Sequence, residues 1–157
     1  YHGIDGCEGF VEHARALHAG RPKARFSVCA ADRLELATIG ESEGFDRILC
    51  LGLLIYLNDE EVARTLRALA AAASLRARVV IREPVGIGRR LTIRDHYSAD
   101  MDQMYNAVYR TEAELLAMAR EELGTRGFRL VGSGDVYADA SLNNRAETRQ
   151  RWLVLER

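Results

Sequence analysis

The stretch "FDRILCLGLLIYL" at residues 45–57 decides the fold class of this chain of 157 residues. It is almost continuously apolar, whereas a strand with one wet face alternates apolar and polar positions. Such a run is typical of a central strand in a parallel sheet that is covered on both faces. Asn58 follows it, with Glu61 three residues later, which is the pattern of a helix N-terminal cap. The stretch therefore predicts a buried strand that leads into a helix.

The segments on either side continue this alternation of strand and helix. Further strands are predicted at "YHGID" (1–5), "RFSVCAAD" (25–32) and "ARVVIREPV" (77–85), the last of them ended by Pro84. Helices are predicted from "GCEGFVEHARAL" (6–17), after Asn58, and from Thr111 with Glu114. "GFRLVGSGDVY" (127–137) and "RQRWLVLE" (149–156) are two closing strands with no helix between them. The order predicts an α/β fold, a mostly parallel sheet with helices on both faces and a C-terminal antiparallel hairpin.

Length and composition exclude several classes of protein. The length is typical of one domain, so residues 1–157 are taken as a single unit. There are 22 basic and 23 acidic residues, and this balance gives no reason to expect a nucleic-acid partner. No apolar run approaches the roughly 18 residues that cross a bilayer, so no membrane contact is expected. The three cysteines, an odd number, are interpreted as buried apolar residues in a reducing cytoplasm.

Two acids end predicted strands, Asp5 the first and Asp32 the second. In open α/β sheets, ligands bind beyond the carboxyl ends of the strands. A carboxylate there can accept hydrogen bonds from both hydroxyls of a ribose, and Gly6 would let the backbone turn tightly beside the sugar. The alternative for Asp5 is a helix N-cap, which aspartate also favours. The residues alone leave both interpretations open.

Taken together, "YHGIDGCEGFVEHARA", "RFSVCAADRLEL" and "FDRILCLGLLIYLND" resemble, in order and spacing, the class I S-adenosylmethionine-dependent methyltransferases, which have a Rossmann-like fold. The resemblance implies S-adenosyl-L-methionine as cofactor, S-adenosyl-L-homocysteine as product, and methyl transfer to an O or N nucleophile of a small-molecule acceptor. It also implies three cofactor-binding groups: Asp5, Gly6 and Cys7 at the ribose, Ala31, Asp32 and Arg33 at the adenine, and Cys50, Leu51 and Gly52 at the methionine part.

The family's first strand, with its glycine-rich turn, has no counterpart in this sequence. We therefore expect an N-terminally truncated domain that begins at the family's second strand, with another segment or chain supplying the missing strand. One alternative is a non-catalytic methyltransferase-like fragment or one part of a split enzyme. A second is a nicotinamide-dependent oxidoreductase, which also places an acid after its second strand. The sole lysine, Lys23, forms no Tyr-x-x-x-Lys pair to support that class.

Acceptor-side residues are expected at the strand end "IREPVG" and in the insert at about residues 86–110. Arg82 and Glu83 lie at this strand end, where a surface ion pair is the alternative. The insert is rich in aromatic residues and is predicted to be a lid, with local packing as the alternative. Gly86 and Gly88 would form its hinge.

The candidate catalytic and substrate-binding residues lie at these two places and in the stretch after the third strand. His96 is the first candidate for the base, because an ordinary imidazole titrates near neutral pH, although a structural histidine is the alternative. Glu83 is the second candidate, and Tyr56 falls where the resemblance implies a residue that faces the acceptor. The predicted substrate-binding residues are Arg82, Tyr105, Tyr109 and Arg110. Asp95, His96, Asp100 and Asp102 are crowded into one segment, so no metal site is predicted.

Overall fold

The computed structural model describes residues 1–98 and 102–157. Within them lie three α-helices, namely α1 (Glu8–Leu17), α2 (Asp59–Ala72) and α3 (Glu112–Gly124). The strands are β1 (His2–Asp5), β2 (Arg25–Val28), β3 (Phe45–Leu51), β4 (Ala73–Gly86), β5 (Leu91–Ser98), β6 (Gln103–Tyr109), β7 (Arg129–Asp135) and β8 (Thr148–Glu156). Short 3-10 turns form at Ala31–Arg33, Ala37–Ile39, Leu54–Tyr56 and Ala140–Leu142. None of the described helices is long and apolar enough to span a membrane.

The strands form parallel and antiparallel pairs. β1 pairs in parallel with β2, and β3 pairs in parallel with β4. β8 lies antiparallel between β4 and β7, which gives a four-stranded sheet of order β3-β4-β8-β7. β5 and β6 form a separate antiparallel hairpin. The C-terminal antiparallel hairpin is the pair of β7 and β8, so the prediction of an α/β fold with such a hairpin is confirmed.

Helices α2 and α3 cover one face of the four-stranded sheet. Both begin with the predicted capping box, Asn58 with Glu61 and Thr111 with Glu114. Their apolar stripes pack in one core with alternate residues of β3, β4 and β8, and the fully buried members include Val62, Leu66, Leu123, Val79, Ile81 and Leu153. Burying one such side chain contributes about 2 kcal/mol to folding. This core fixes the strand ends at which the site forms.

Strands β1 and β3 each have one free edge. Among the described residues, β1 pairs only with β2, and β3 pairs only with β4. The first residues of the two strands lie near each other, because the rings of His2 and Phe45 meet edge to face with centroids 6.5 Å apart. Leu49 and Leu51 of β3 remain half exposed. Their side chains point to the face opposite the core, and a free strand edge beside such a face is one that proteins normally cover.

One prediction about local structure was wrong, namely the end of the strand at Pro84. Pro84 does not end its strand: β4 runs to Gly86, because β3 ends opposite Arg82 and no neighbour there needs an N–H from Pro84. The insert, for which no secondary structure was predicted, forms the β5–β6 hairpin. A 3-10 turn at Ala37–Ile39 lies between β2 and β3.

The apolar residues of α1 are largely uncovered. Val11 is buried, whereas Phe10 and Leu17 are each 68% exposed. Cys7 is exposed as well, so only Cys29 and Cys50 match the interpretation of the cysteines as buried residues.

Candidate functional site

The predicted cofactor residues lie at the carboxyl ends of parallel strands. Asp5 ends β1, the turn Ala31–Arg33 follows β2, and Gly52 follows β3. β1 and β3 start near each other, and the turn after β2 contacts the N-terminal half of α2, which follows β3, through the ion pair of Asp32 with Arg64. These strand ends therefore lie on the same side of the molecule. This is the side at which open α/β sheets bind ligands.

The two acids have different surroundings. The Oδ1 atom of Asp5 accepts a hydrogen bond from the backbone N–H of Cys7 at 2.7 Å, and the side chain is exposed. The N-cap residue of α1 is Cys7, so Asp5 shapes the turn that precedes the helix without being its N-cap. Asp32 is partly buried and forms an ion pair with Arg64 of α2, with Oδ2 and Nε 3.2 Å apart. Their roles at ribose and adenine stay predictions.

At the end of β3, the side chain of Cys50 is buried, and the backbone is the part that could face a ligand. Cys50 points into the core, where burial and then the charge of Glu83 raise the pKa of its thiol, so only its backbone could face a ligand. Gly52 has a φ of +67°, which favours glycine, and its N–H donates to the carbonyl oxygen of Arg82 at 2.8 Å. The chain therefore turns sharply away from the sheet at Gly52.

A cavity of about 290 Å³ lies beyond the ends of β3 and β4. The residues that line it are Leu51, Gly52, Ile55, Tyr56, Arg82, Pro84, Tyr109, Asn143, Asn144, Thr148 and Gln150. Five of them were predicted site residues: Leu51, Gly52, Tyr56, Arg82 and Tyr109. These five residues come from three separate parts of the sequence, and the lining as a whole comes from four.

The segment before β8 contributes lining residues that were not predicted from the sequence. Asn143, Asn144, Thr148 and Gln150 line the cavity because β8 pairs antiparallel with β4, which places Gln150 opposite Pro84. A pair of asparagines just before the last strand is the one feature of the sequence that could have indicated it. The buried Oε1 atom of Gln150 has no hydrogen-bond partner.

Of the hairpin residues that the structure describes, only Tyr109 at its base lines the cavity. Tyr109, at the end of β6, is 8% exposed, and burial followed by the neighbouring Tyr105 raises the pKa of its hydroxyl against the opposing charge of Arg145. Tyr105 does not line the cavity, and its hydroxyl accepts a hydrogen bond from Arg145 at 2.6 Å. The hairpin is thereby tied to the segment that precedes β8.

His96 lies farther out on the hairpin. It is exposed, it pairs with Tyr105 across the two strands, and its ring meets the Tyr105 ring edge to face at 5.4 Å. It is not among the residues that line the cavity. Asp100, considered with it as a metal ligand, lies outside the described residues. Within the ranges 1–98 and 102–157, no three His, Cys, Asp or Glu side chains cluster as a metal ion would require.

Glu83 and Arg110 are buried, with 2% and 3% of their surfaces exposed. The interpretation of Glu83 as part of a surface ion pair is therefore wrong. Burial raises the pKa of its carboxyl to about 7, against the opposing effect of backbone N–H groups and of Arg82. The Nε, Nη1 and Nη2 atoms of Arg110 already donate to Asp59, Leu54 and Leu57, so the geometry does not support the prediction that Arg110 binds the acceptor.

The comparisons with known proteins identify the fold. No protein-family model matches the chain, and no curated protein matches its sequence. Solved structures do match it. One is the 1,6-didemethyltoxoflavin-N1-methyltransferase of Burkholderia thailandensis with bound S-adenosylhomocysteine, at 20% identity and a TM-score of 0.69. The match covers 99% of this chain and 60% of that enzyme.

Two further solved structures are similar. The magnesium protoporphyrin IX methyltransferase of Synechocystis with bound cofactor is 20% identical, with a TM-score of 0.62, over 99% of this chain and 58% of that one. The cyclase SpnF is 15% identical, with a TM-score of 0.68, over 99% of this chain and 65% of that one. The fold is therefore that of the class I S-adenosylmethionine-dependent methyltransferases. The chain spans about 60% of the length of the first of these structures.

Proposed function

We propose that this chain forms the larger part of an S-adenosylmethionine-dependent methyltransferase that acts on a small molecule. One observation carries the proposal. The cavity of about 290 Å³ opens at the strand ends where this fold binds ligands, and five residues predicted for the cofactor or the acceptor line it. The methyltransferases with the same fold supply the reaction class.

The residues at the strand ends fit the cofactor. Asp5 offers an exposed carboxylate for the two ribose hydroxyls, with Gly6 and Cys7 in the turn beside it. Ala31, Asp32 and Arg33 form the turn after β2, where the adenine would lie. The backbone at Cys50, Leu51 and Gly52 would border the methionine part. S-adenosylmethionine supplies an activated methyl group, so the protein's main task is to position the acceptor.

The lining of the cavity suits a compact acceptor with polar and aromatic character. Tyr56 and Tyr109 provide aromatic surface, whereas Asn143, Asn144 and Gln150 provide amide groups. Arg82 borders the cavity, where its guanidinium group would offer positive charge and N–H donors to a polar acceptor. Whether the acceptor atom is oxygen or nitrogen, these residues orient it and exclude water.

Tyr56 is the candidate for a direct contact with the reacting group, because it alone among the three predicted catalytic residues lines the cavity. His96 and Glu83 were the predicted bases. Neither borders the cavity, so a role for either one in proton transfer would require the hairpin or the turn to move.

A parallel strand is expected to complete the site between β1 and β3. The free edges of these strands and the half-exposed Leu49 and Leu51 support this proposal. A segment encoded before Tyr1 is the proposed source, and a second polypeptide is the alternative. The completing strand would bring backbone close to Gly52 and to the cofactor.

Isothermal titration with S-adenosylhomocysteine tests the cofactor assignment. We expect the protein that carries the segment before Tyr1 to bind it, and Asp5→Asn to weaken binding by roughly 10-fold or more, since a charge-assisted hydrogen bond contributes about 1.5–3 kcal/mol. Asparagine keeps an oxygen for the N–H of Cys7, so the local turn should survive. Asp46→Asn, at the opposite end of β3, is the matched control.

Equal affinity of Asp5→Asn and Asp46→Asn would remove Asp5 from the ribose. Binding of a nicotinamide cofactor in place of S-adenosylhomocysteine would favour the oxidoreductase. No binding of either cofactor would favour a non-catalytic fragment.

A further inference from the structure

The turn at residues 52–57 joins β3 to α2 and forms one wall of the cavity, with Gly52, Ile55 and Tyr56 among the lining residues. Its own backbone makes few hydrogen bonds. Tyr56 N donates to Leu53 O at 3.1 Å, and Leu57 N donates to Leu54 O at 3.3 Å. A single 3-10 turn with bonds of this length is weak by itself. Its geometry must therefore depend on other groups.

Glu83 holds the first half of the turn. One carboxylate oxygen, Oε1, accepts hydrogen bonds from the backbone N–H groups of Leu53 at 2.8 Å and of Leu54 at 2.9 Å. These N–H groups begin the 3-10 turn and have no partner within it. The other oxygen, Oε2, is buried without a partner. A buried carboxylate is costly, and here its bonds go to the turn rather than to a basic side chain.

Arg110 holds the second half. Its Nη1 atom donates to the carbonyl oxygen of Leu54 at 2.8 Å, and its Nη2 atom donates to that of Leu57 at 2.7 Å. Its Nε atom donates to Asp59, in the first turn of α2, at 2.8 Å. Arg110 directly follows β6, so it also joins the base of the hairpin to this turn.

We propose that Glu83 and Arg110 are positioning residues, which fix the turn at residues 52–57 from both ends and thereby set the place of Tyr56 and Gly52 in the cavity. One buried side chain binds the N–H groups at its start, and the other binds the carbonyl groups toward its end. Leu54 is bonded by both. The consequence for catalysis rests on the proposed function, whereas the effect on the turn does not.

The protonation of Glu83 can be followed through the backbone amides that it binds. The charged and titratable groups around its carboxyl are Arg82 on β4, the thiol of Cys50 on β3 and Arg110 after β6, whereas α3 contributes the apolar Leu115. The carboxyl titrates near neutral pH, at a pKa of about 7, because it is buried. An N–H group that donates to a carboxylate changes its chemical shift when that carboxylate gains a proton. The amides of Leu53 and Leu54 should therefore report the titration.

The experiment is NMR of the backbone amides, with no cofactor or acceptor added. We expect the Leu53 and Leu54 amides to titrate with a midpoint near 7, and Glu83→Gln to abolish the titration. Glu83→Leu should accelerate hydrogen exchange at these two amides by about 10²-fold, since both bonds to a charged group are lost. Arg110→Met should accelerate exchange at Tyr56 and Leu57. Glu121→Gln, at an exposed position of α3, is the matched control.

Leu53 and Leu54 amides that do not titrate in the parent protein, or that titrate equally in Glu83→Gln, would overturn the proposal. Exchange rates of Tyr56 and Leu57 in Arg110→Met equal to those of the control would do the same. These two variants decide the matter even if Glu83→Leu does not fold. In a protein that proves active, Glu83→Gln should reduce turnover by less than about 10-fold and alter the pH profile near 7. A loss of roughly 10²–10⁴-fold would instead identify Glu83 as the base.

Discussion

Glu83 shows what one residue's surroundings do to its chemistry. In the sequence it stands between Arg82 and Pro84 and resembles half of an exposed ion pair. In β4, side chains alternate between faces, so Arg82 borders the cavity while Glu83 enters the core beneath the turn at residues 52–57. The sequence indicated that the position matters. It could not indicate the face, because that depends on how β4 lies in the sheet.

The raised pKa of Glu83 makes stability depend on pH. A carboxyl whose pKa rises from 4.5 to about 7 on folding binds its proton more tightly in the native state than in the unfolded state. Its contribution is therefore fully present below about pH 4.5 and is lost as the pH rises toward 7. The loss should be about 3 kcal/mol.

Urea unfolding at a series of pH values, compared between the parent and Glu83→Gln, measures this effect. The difference between their free energies of unfolding should change across that range and level off above it. A difference that stays constant with pH would contradict the buried, titrating carboxyl. Glu121→Gln serves again as the control, because its side chain is exposed on α3.

Elements were predicted best where local sequence decides them. The capping boxes at Asn58 and Thr111 located the starts of α2 and α3, since the cap and its glutamate are three residues apart and need no tertiary contact. The β5–β6 hairpin was missed. Its strands carry polar and aromatic residues without a clear alternation, and Asp95, at a φ of +49°, interrupts the register. Cross-strand pairing decides such an element, and the sequence pattern does not show it.

Helix α2 should carry a large share of the stability. Leu66 is fully buried between the helix and the sheet, so Leu66→Ala should lower the free energy of unfolding by about 3 kcal/mol through lost burial and a residual cavity. Leu75 is 87% exposed, and Leu75→Ala should change it by less than about 0.5 kcal/mol. Chemical denaturation of both variants measures the contrast, and similar losses would contradict the placement of the core.

At the scale of the whole molecule, alternation of strands and helices predicted the fold class but not the order of the sheet. The place of β8 between β4 and β7 brings Asn143, Asn144 and Gln150 to the cavity. That placement depends on long-range pairing, which no local pattern encodes. The site was accordingly predicted on the side of β3 and β4 and missed on the side of β8.

The free edges of β1 and β3 carry backbone N–H groups that a further strand could bind. The N–H of Gly52, just after β3, donates to the carbonyl oxygen of Arg82 in β4. Because backbone N–H groups alternate in direction along a strand, those of Ile48 and Cys50 also face β4. Those of Leu49 and Leu51 face the free edge. Along β1, the carbonyls of Tyr1 and Asp5 bond to β2, which leaves the N–H of Ile4 toward its own free edge. These outward N–H groups are the ones a completing strand would bind.

Hydrogen exchange can therefore show whether a further strand fills the gap between β1 and β3. In the chain of 157 residues, the amides of Leu49, Leu51 and Ile4 should exchange rapidly while those of Ile48 and Cys50 are protected. In a longer protein that carries the segment encoded before Tyr1, the outward amides should become protected too, whereas Ile48 and Cys50 should change little. Protection of Leu49 and Leu51 in the shorter chain would mean that the gap is already closed. Exchange that stays fast in the longer protein would leave a second polypeptide as the source of the strand.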